Sequence, residues 1–444
     1  MNNLQIVVLA AGQGTRMKSD LPKILHPLGG RPALHYVLEL AHQMSPEEVV
    51  LVVSPHLKDI QTPFSHKVAV QHPALGTGDA LKYALPHLKP QGHVLVLFGD
   101  TPLIQKETLD QMLALAIQQP EMAVILLGMR PADKQNYARL VINEKGDFEE
   151  VIEHKDLAPS QKEISLCNSG VALVRGDLLS SLLSSLRPNN AAQEYYLTDL
   201  VKIARQMGYS CGVVEGEASE FMGINTRQDL SLAERILQDR WRDKAMTEGV
   251  TLIDPTSVYL SYDTKYASDI TLHPCVVLGP GVTLEKGAEI LPFCRLSDTY
   301  VGPFAIVGPF AHLRGGVCLQ EKAEIGNFVE VKKSTFGAKA KAKHLSYIGD
   351  AEIGSQSNIG AGTITCNYDG FKKSKTHIGE GVFIGSNSCL VAPLTIGDHA
   401  IVGAGSVVVK DVTSRALALA RSNQTILENG ADKFREKRQT RKDS

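Results

Sequence analysis

Beyond residue 270 an aliphatic residue returns every six positions: Leu272, Leu278, Leu284, Ile290 and Leu296. The frame then slips by one and resumes at Val301, Val307, Leu313, Leu319, Ile325 and Val331. It returns at Ile353 and Ile359, and again from Ile378 through Ile384, Leu390, Ile396 and Val402 to Val408. Glycine often follows, as in VGPFAI, IGAGTI and VGAGSV. Such hexapeptide periodicity is the signature of a parallel β-helix. Each hexad supplies one short strand and one turn. The aliphatic side chain fills a narrow prism and the small residue fits the turn. The period alone does not set the hand of the coil.

Two stretches break the repeat, Lys332–Tyr347 and Thr365–Thr376, and read as insertions leaving the prism on a binding face. They carry Lys332, Lys333, Lys339, Lys341, Lys343, His344, Asn367, Tyr368, Lys372 and Lys373, with few acids to pair them. This is either a solvated basic loop or an anion site.

Up to about residue 225 the pattern is different. Leu4–Leu9, Val49–Val53, Val94–Phe98 and Val124–Leu127 read as buried strands, with helices over Ala33–Met44 and Thr108–Gln118 between them. Alternation of this kind gives a mostly parallel sheet covered by helices, whose ligands bind at the carboxyl ends of the strands. Two motifs lie at such ends. One is VVLAAGQGTRMKSDLPK, from Val7 to Lys23; the other is FGDTPL, from Phe98 to Leu103. The first is glycine-rich but fits neither standard phosphate loop. Met17 occupies the third glycine position of a dinucleotide motif, and Gln13 alone separates Gly12 from Gly14 where a P-loop needs four residues. Between the two regions Thr226–Glu248 is polar and helical, carries the only tryptophan, Trp241, and reads as a linker. The expected domains are 1–225, a linker helix over 226–248, and 249–444 with a basic tail, KFREKRQTRKDS, expected to be solvated or disordered.

Composition narrows the function. A net charge of -2 gives no electrostatic case for nucleic acid or membrane partners. The apolar stretch before Gly12 lacks a basic leader and is read as a strand, not a signal peptide. Seven cysteines, none spaced C-x-x-C, argue for reduced thiols in a cytoplasmic protein.

LAAGQGTRMKSDLPK, LGTGDA, FGDTPL, EHKD, EYYLTD, GNFVEVKK, HLSYIGDAEIG and NIGAGTITCNYDG together resemble one family over nearly the whole chain. It is the bacterial bifunctional N-acetylglucosamine-1-phosphate uridylyltransferase and glucosamine-1-phosphate N-acetyltransferase, which serves cell-wall biogenesis. The resemblance implies an α/β, Rossmann-like nucleotidyltransferase domain followed by a left-handed parallel β-helix. It also implies a homotrimer with acetyltransferase sites between subunits. Small molecules are the expected substrates, among them UTP and acetyl-CoA.

The family pattern then assigns residues. UTP would lie on Leu9, Ala10, Gly12, Gly14, Thr15, Gln71, Gly76 and Thr77, with Arg16 on the phosphate chain and Lys23 on the α-phosphate. Consecutive amides around Gly12–Thr15 would form an anion nest. A sugar-phosphate oxygen attacking the α-phosphorus needs no general base, because the monoester is already largely dianionic. Two approaching anions do need a cation, and Mg²⁺ prefers few protein oxygens. Asp100 and Asn225 are the expected ligands, although Asp100 could equally cap a helix. The sugar would contact Phe98, Ala138, Glu153, Asn168 and Asn225.

In the other half His344 matches the general base. Arg314, Lys332, Tyr347, Asn358 and Lys373 match the holders of the sugar phosphate. Ala361, Asn367, Tyr368, Ser386, Ala404 and Arg421 match the acetyl-CoA side. The chain departs from the family in places. Ala74 replaces a glutamine, Ala138 a glycine and Gly315 a proline, which should hold Arg314 less rigidly. The stretch from Leu291 to Val307 is shorter by about one coil of three hexads. Two rivals remain at this stage. One is a sugar-1-phosphate nucleotidylyltransferase with a purely oligomerising β-helix, like ADP-glucose pyrophosphorylases. The other is a metal enzyme resembling γ-class carbonic anhydrases, using His273, His312, His344, His377 or His399.

Overall fold

The computed structural model describes residues 3–12, 14–134, 137–143, 146–188, 190 and 193–439. The chain forms two compact units that part between Arg240 and Trp241. That point lies inside one helix, Arg227–Thr247, at the place expected for the linker.

The first unit is built on one sheet. Its main path runs Ser210–Glu215, Met122–Met129, Cys167–Arg175, His93–Phe98, Leu4–Ala10, Glu48–Val53, Lys67–Val70. Leu4–Ala10 is wholly buried and pairs in parallel with strands on both sides, Leu9 opposite Phe98 and Ala10 opposite Val53. Its β-rich run of Ile and Val residues suits a strand covered on both faces. The connections leave this strand in opposite directions, which opens a crevice beyond Ala10 and Phe98. Cys167–Arg175 runs antiparallel to both its neighbours, and its register shifts between Asn168 and Ala172. A bulge of this kind re-aims the backbone beside a site. Helices Ala33–Gln43 and Lys106–Gln118 stand close to their expected bounds.

The second unit is a left-handed parallel β-helix with three faces. The first face has 10 strands, from Val250–Leu252 to Leu417–Ala418. The second has 8, from Val277–Leu278 to Val407–Val408. The third also has 8, from Lys265–Tyr266 to Leu394–Ile396. Every hexad aliphatic named above is buried in the prism, and Trp241 packs against the same core. The turn from first to second face repeatedly uses a left-handed residue: Phe293 (φ 62°), Phe310 (φ 55°), Phe328 (φ 56°) and Leu345 (φ 50°). The three phenyl rings stack along this corner at 4.9 and 5.1 Å.

One expectation needs correction here. Lys332–Tyr347 is not an insertion. Phe336, Ala342 and Ile348 continue the buried stack, and the period merely slips by one at Phe336 and again at Ile353. A large Phe beside a small Ala fills the prism without displaying an aliphatic period. Thr365–Thr376 does contain an excursion, which closes on itself at Tyr368 and Lys373 between the strands Ile364–Cys366 and Thr376–Ile378. The basic tail is solvated as far as it is described, one of its two expected states. Gly430–Gln439 is a helix with no buried residue, and 440–444 lie outside the described residues.

Phe336 is fully buried and Phe371 is 96% exposed. Phe336→Ala should therefore lose about 3–5 kcal/mol of stability. Phe371→Ala should stay within about 0.5 kcal/mol of the parent. Denaturant midpoints of the two variants check this contrast.

Candidate active sites

The crevice beyond Ala10 holds a cleft of about 300 Å³. Leu9, Ala10, Gly12, Lys23, Gln71, Gly76 and Thr77 line it, joined by Ala74, Phe98, Asp100 and Glu194. Phe98 and Asp100 also line an adjoining cavity of about 500 Å³ with Arg16, Tyr137, Ser169, Gly170 and Asn225. Arg16 thus faces the second cavity and not the first. Gly14 and Thr15 line neither cavity, and Gln13 of the expected nest lies outside the described residues. Gly14 has another task. Its φ is +63°, and a Cβ there would stand 2.6 Å from Lys23 Cβ. The absent side chain lets the loop close on Lys23, while buried Met17 anchors the turn Thr15–Met17.

Lys23 is the hub. Its Nζ donates to Asp100 Oδ2 at 2.5 Å and to Asn225 Oδ1 at 3.0 Å. The two expected metal ligands therefore converge on one cationic point. Asp100 does not cap a helix, since the next one begins at Lys106. Asn225 is fixed through its backbone. Asp229 Oδ2 accepts from the amides of Asn225 (2.9 Å) and Thr226 (2.8 Å), and the Asp229 amide donates to Thr226 Oγ1 at 3.1 Å. This reciprocal cap starts the helix Arg227–Thr247. Arg227 in turn meets His26 Nδ1 at 3.1 Å, and burial followed by the Arg227 charge holds the His26 pKa below its usual value.

The expected sugar residues stand further back. Ala138, Glu153 and Asn168 line neither of these two cavities. Ala138 O accepts the Asn168 amide at 2.9 Å, and Asn168 Oδ1 accepts the Gly170 amide at 3.1 Å. Asn168 so presents the bulge that carries Ser169 and Gly170 to the cavity. A Cβ on Gly170 would lie 2.9 Å from the Phe98 ring. Glu153 accepts from Thr198 Oγ1 at 2.9 Å, and burial pushes its carboxyl pKa up. The segment EYYLTD latches the cleft: Gly78 N donates to Tyr195 O (2.8 Å) and Leu197 N to Thr77 Oγ1 (3.0 Å).

On the prism the expected residues fall at two corners, flanking the second face. At its far edge Arg314, Lys332 and Lys373 gather. The neighbouring Lys373 ammonium, then Arg314, depress the Lys332 pKa. Arg314 is firmly held despite Gly315, because Nε (2.9 Å) and Nη2 (2.6 Å) both donate to Glu330 Oε1. Gly315 has φ +71°, which proline cannot adopt. Asn367 Nδ2 donates to the Asp350 carboxylate. Tyr347 lies over Gly349, where a Cβ would come within 2.5 Å of its hydroxyl. Tyr368 is exposed on the excursion.

At the near edge stands His344. Its Nδ1 meets Asn327 Oδ1 at 2.6 Å, beside a cavity of about 270 Å³. With Asn327 accepting, the ring proton sits on Nδ1 and Nε2 keeps its lone pair. Four of the acetyl-CoA candidates, Ala361, Ser386, Ala404 and Arg421, climb the same corner, while Asn367 and Tyr368 lie at the far edge. Gly362 N donates to His344 O (3.4 Å), Asn387 N to Ala361 O (2.7 Å) and Gly405 N to Ser386 O (2.8 Å). Arg421 Nη1 then donates to Ala404 O at 2.9 Å. Asn358 lies on the first face opposite Lys341. The basic cluster is less free than expected, for Glu324 pairs with both Lys341 (2.8 Å) and Lys343 (2.5 Å). Among the described residues of one chain no three His, Cys, Asp or Glu converge as metal ligands.

Residues 6–141 match the MobA-like NTP transferase domain, and residues 375–410 match the bacterial transferase hexapeptide, six repeats. The Bifunctional protein GlmU of Paramagnetospirillum magneticum is 48% identical over 99% of this chain and 98% of its own length. That of Sphingopyxis alaskensis is 45% identical over 98% and 97%. That of Wolbachia pipientis is 42% identical over 94% and 97%. The chain belongs to the GlmU family. Membership favours two working sites over a prism that only oligomerises. The geometry adds residues not singled out from the sequence: Asp79, Asp229 and Glu194 at the cleft, and Asn327, Glu330, Gly349 and Asp350 on the prism. The Thr226-x-x-Asp229 cap was visible as a sequence signal.

Gly14→Ala should push Lys23 away from Asp100 and Asn225. Nucleoside triphosphate binding measured by calorimetry should weaken by at least about tenfold, since a side chain at this φ is strained by roughly 1–2 kcal/mol before the contact is counted.

Proposed function

We propose that the chain makes UDP-N-acetylglucosamine in two steps. The prism transfers the acetyl group of acetyl-CoA to the amine of glucosamine 1-phosphate. The N-terminal unit then joins N-acetylglucosamine 1-phosphate to UTP, releasing pyrophosphate. The observation that carries this reading is Lys23 bridging Asp100 and Asn225 in a switch-point cleft, on a chain whose prism also holds His344 with a free ring nitrogen.

In the first unit Asp100 and Asn225 would hold Mg²⁺. They fit it, because their oxygens already converge on one cation and supply only two protein ligands, as that ion prefers. When bound, the ion neutralises charge between the two phosphates. The chain's own part is positioning and electrostatics. Lys23 is a mobile-ended cation that can turn from Asp100 and Asn225 to the α-phosphate. Arg16 faces the adjoining cavity and offsets charge there. Phe98 borders both cavities and orients the sugar against the nucleotide.

In the prism, Arg314, Lys332 and Lys373 would hold the sugar phosphate, since three clustered cations need an anion between them. His344 Nε2 would take the amine proton as the thioester carbonyl is attacked. Asn327 keeps the Nδ1 proton in place and orients the ring. Ala361, Ser386, Ala404 and Arg421 form a track for the acetyl-CoA chain along the same corner. Phosphate holders and base stand at opposite edges of one face, so a second copy completing each site fits the arrangement. A homotrimer through the prism is the assembly in this reading, and the unpaired thiols suit the cytoplasm.

Asp100→Ala should abolish UDP-sugar formation and leave acetylation intact. Retained uridylyl transfer within about tenfold at saturating Mg²⁺ would refute the metal role. His344→Ala should lower acetyl-transfer kcat by about 10²–10⁴ with little change in KM. A raised KM with intact kcat would make His344 a packing residue instead.

A further inference from the structure

Gln71 follows the strand Lys67–Val70, and Asp79 lies in the first turn of the helix Thr77–Ala84. Gln71 Nε2 donates to Gly76 O at 3.1 Å and to Asp79 Oδ2 at 2.8 Å. A backbone carbonyl and a carboxylate can only accept. The amide therefore has one satisfied orientation, with its NH₂ toward Gly76 and Asp79. Its Oε1 is turned the other way. Gln71 is only 4% exposed, yet it lines the nucleotide cleft with Leu9, Ala10 and Gly76. Among the described residues no donor satisfies Oε1, and that oxygen keeps some access to solvent.

We infer that Asp79 is a positioning residue that selects the base, by locking Gln71 as a hydrogen-bond acceptor facing the cleft. The inference rests on reading this cleft as the uridylyl-transfer site. An acceptor there pairs with the ring N3–H of uracil. It opposes cytosine, whose N3 carries a bare lone pair at the same place. A reversed amide would present NH₂ and favour cytosine. Asp79 reinforces the Gly76 carbonyl in opposing the reversal, because reversal would set Oε1 against a carboxylate and leave the buried amide poorly paired. An acidic residue in a first helical turn also favours the helix by itself, so a purely structural role is the alternative.

The test uses the full-length enzyme with N-acetylglucosamine 1-phosphate and Mg²⁺. It measures kcat and KM for UTP and CTP in the parent, in Asp79→Asn and in Asp79→Ala, with melting temperatures alongside. Asparagine keeps the shape of Asp79 but can turn either an acceptor or a donor to Gln71, so only Gly76 O still opposes reversal of the amide. The UTP-over-CTP ratio of kcat/KM should fall by about tenfold or more in both variants. The change should appear as a higher KM for UTP and a lower KM for CTP, with kcat for UTP nearly kept. An unchanged ratio in both variants, with or without a lower melting temperature, would reduce Asp79 to a helix-start residue and overturn the inference. A parent enzyme that uses CTP as readily as UTP would overturn it too, while leaving uridylyl transfer standing. Product from neither nucleotide would overturn the transfer reading and the inference together.

Discussion

One ammonium group closes the N-terminal site. Lys23, Asp100 and Asn225 come from three segments far apart in the chain, and they meet only because the sheet brings the ends of two central strands together. Each is fixed from behind. Gly14 lets the Lys23 loop fold tightly, the buried strand His93–Phe98 delivers Asp100, and the Asp229 cap holds Asn225. Lys23 and Asp100 are shielded from water, with side-chain exposures of 12% and 20%, so each needs the other's charge. The same shielding makes the point between them attractive to any stronger cation.

The prism solves the complementary problem of displaying polar chemistry on a scaffold whose interior accepts two side chains per hexad, the aliphatic and the residue two positions before it. Functional groups are confined to the corners and the outward positions. Residues one coil apart become neighbours, which is why Asn327 meets His344, Glu330 meets Arg314 and Asp350 meets Asn367. Arg314, Lys332 and Lys373, proposed to hold the sugar phosphate, are collected at one corner and His344, the proposed base, stands at another, with Tyr347 on the face between them.

Much of this was readable from residues alone. The hexad period located the buried stack through Val408, and the alternation of buried runs with helical patterns located the cleft. Failures had physical causes. Phe336 and Ala342 hid a coil because an aromatic ring and a single methyl fill the prism by volume without showing the Leu/Ile/Val pattern. The lysines at 341 and 343 looked unpaired because their partner, Glu324, lies one coil earlier. Arg16 was placed on the nucleotide side, yet it faces the neighbouring cavity, because a three-residue turn sets its direction. Gln71 was found but not its orientation. That depends on Asp79, whose contact exists only after strand, loop and helix are assembled.

The closed three-faced coil also sets a rule for how such a chain can change in length. Three hexads return the backbone to the same face, so adding or removing a whole coil keeps every later residue at its own corner. A single added hexad ahead of it would rotate all that follows by one face and carry His344 on to the corner between the second and third faces. Length can therefore drift only in whole turns of the screw, and below the active corners it can do so without penalty to the chemistry. The stretch between Leu291 and Val307 keeps to that rule: the stacked Phe293, Phe310 and Phe328 stay in phase across it.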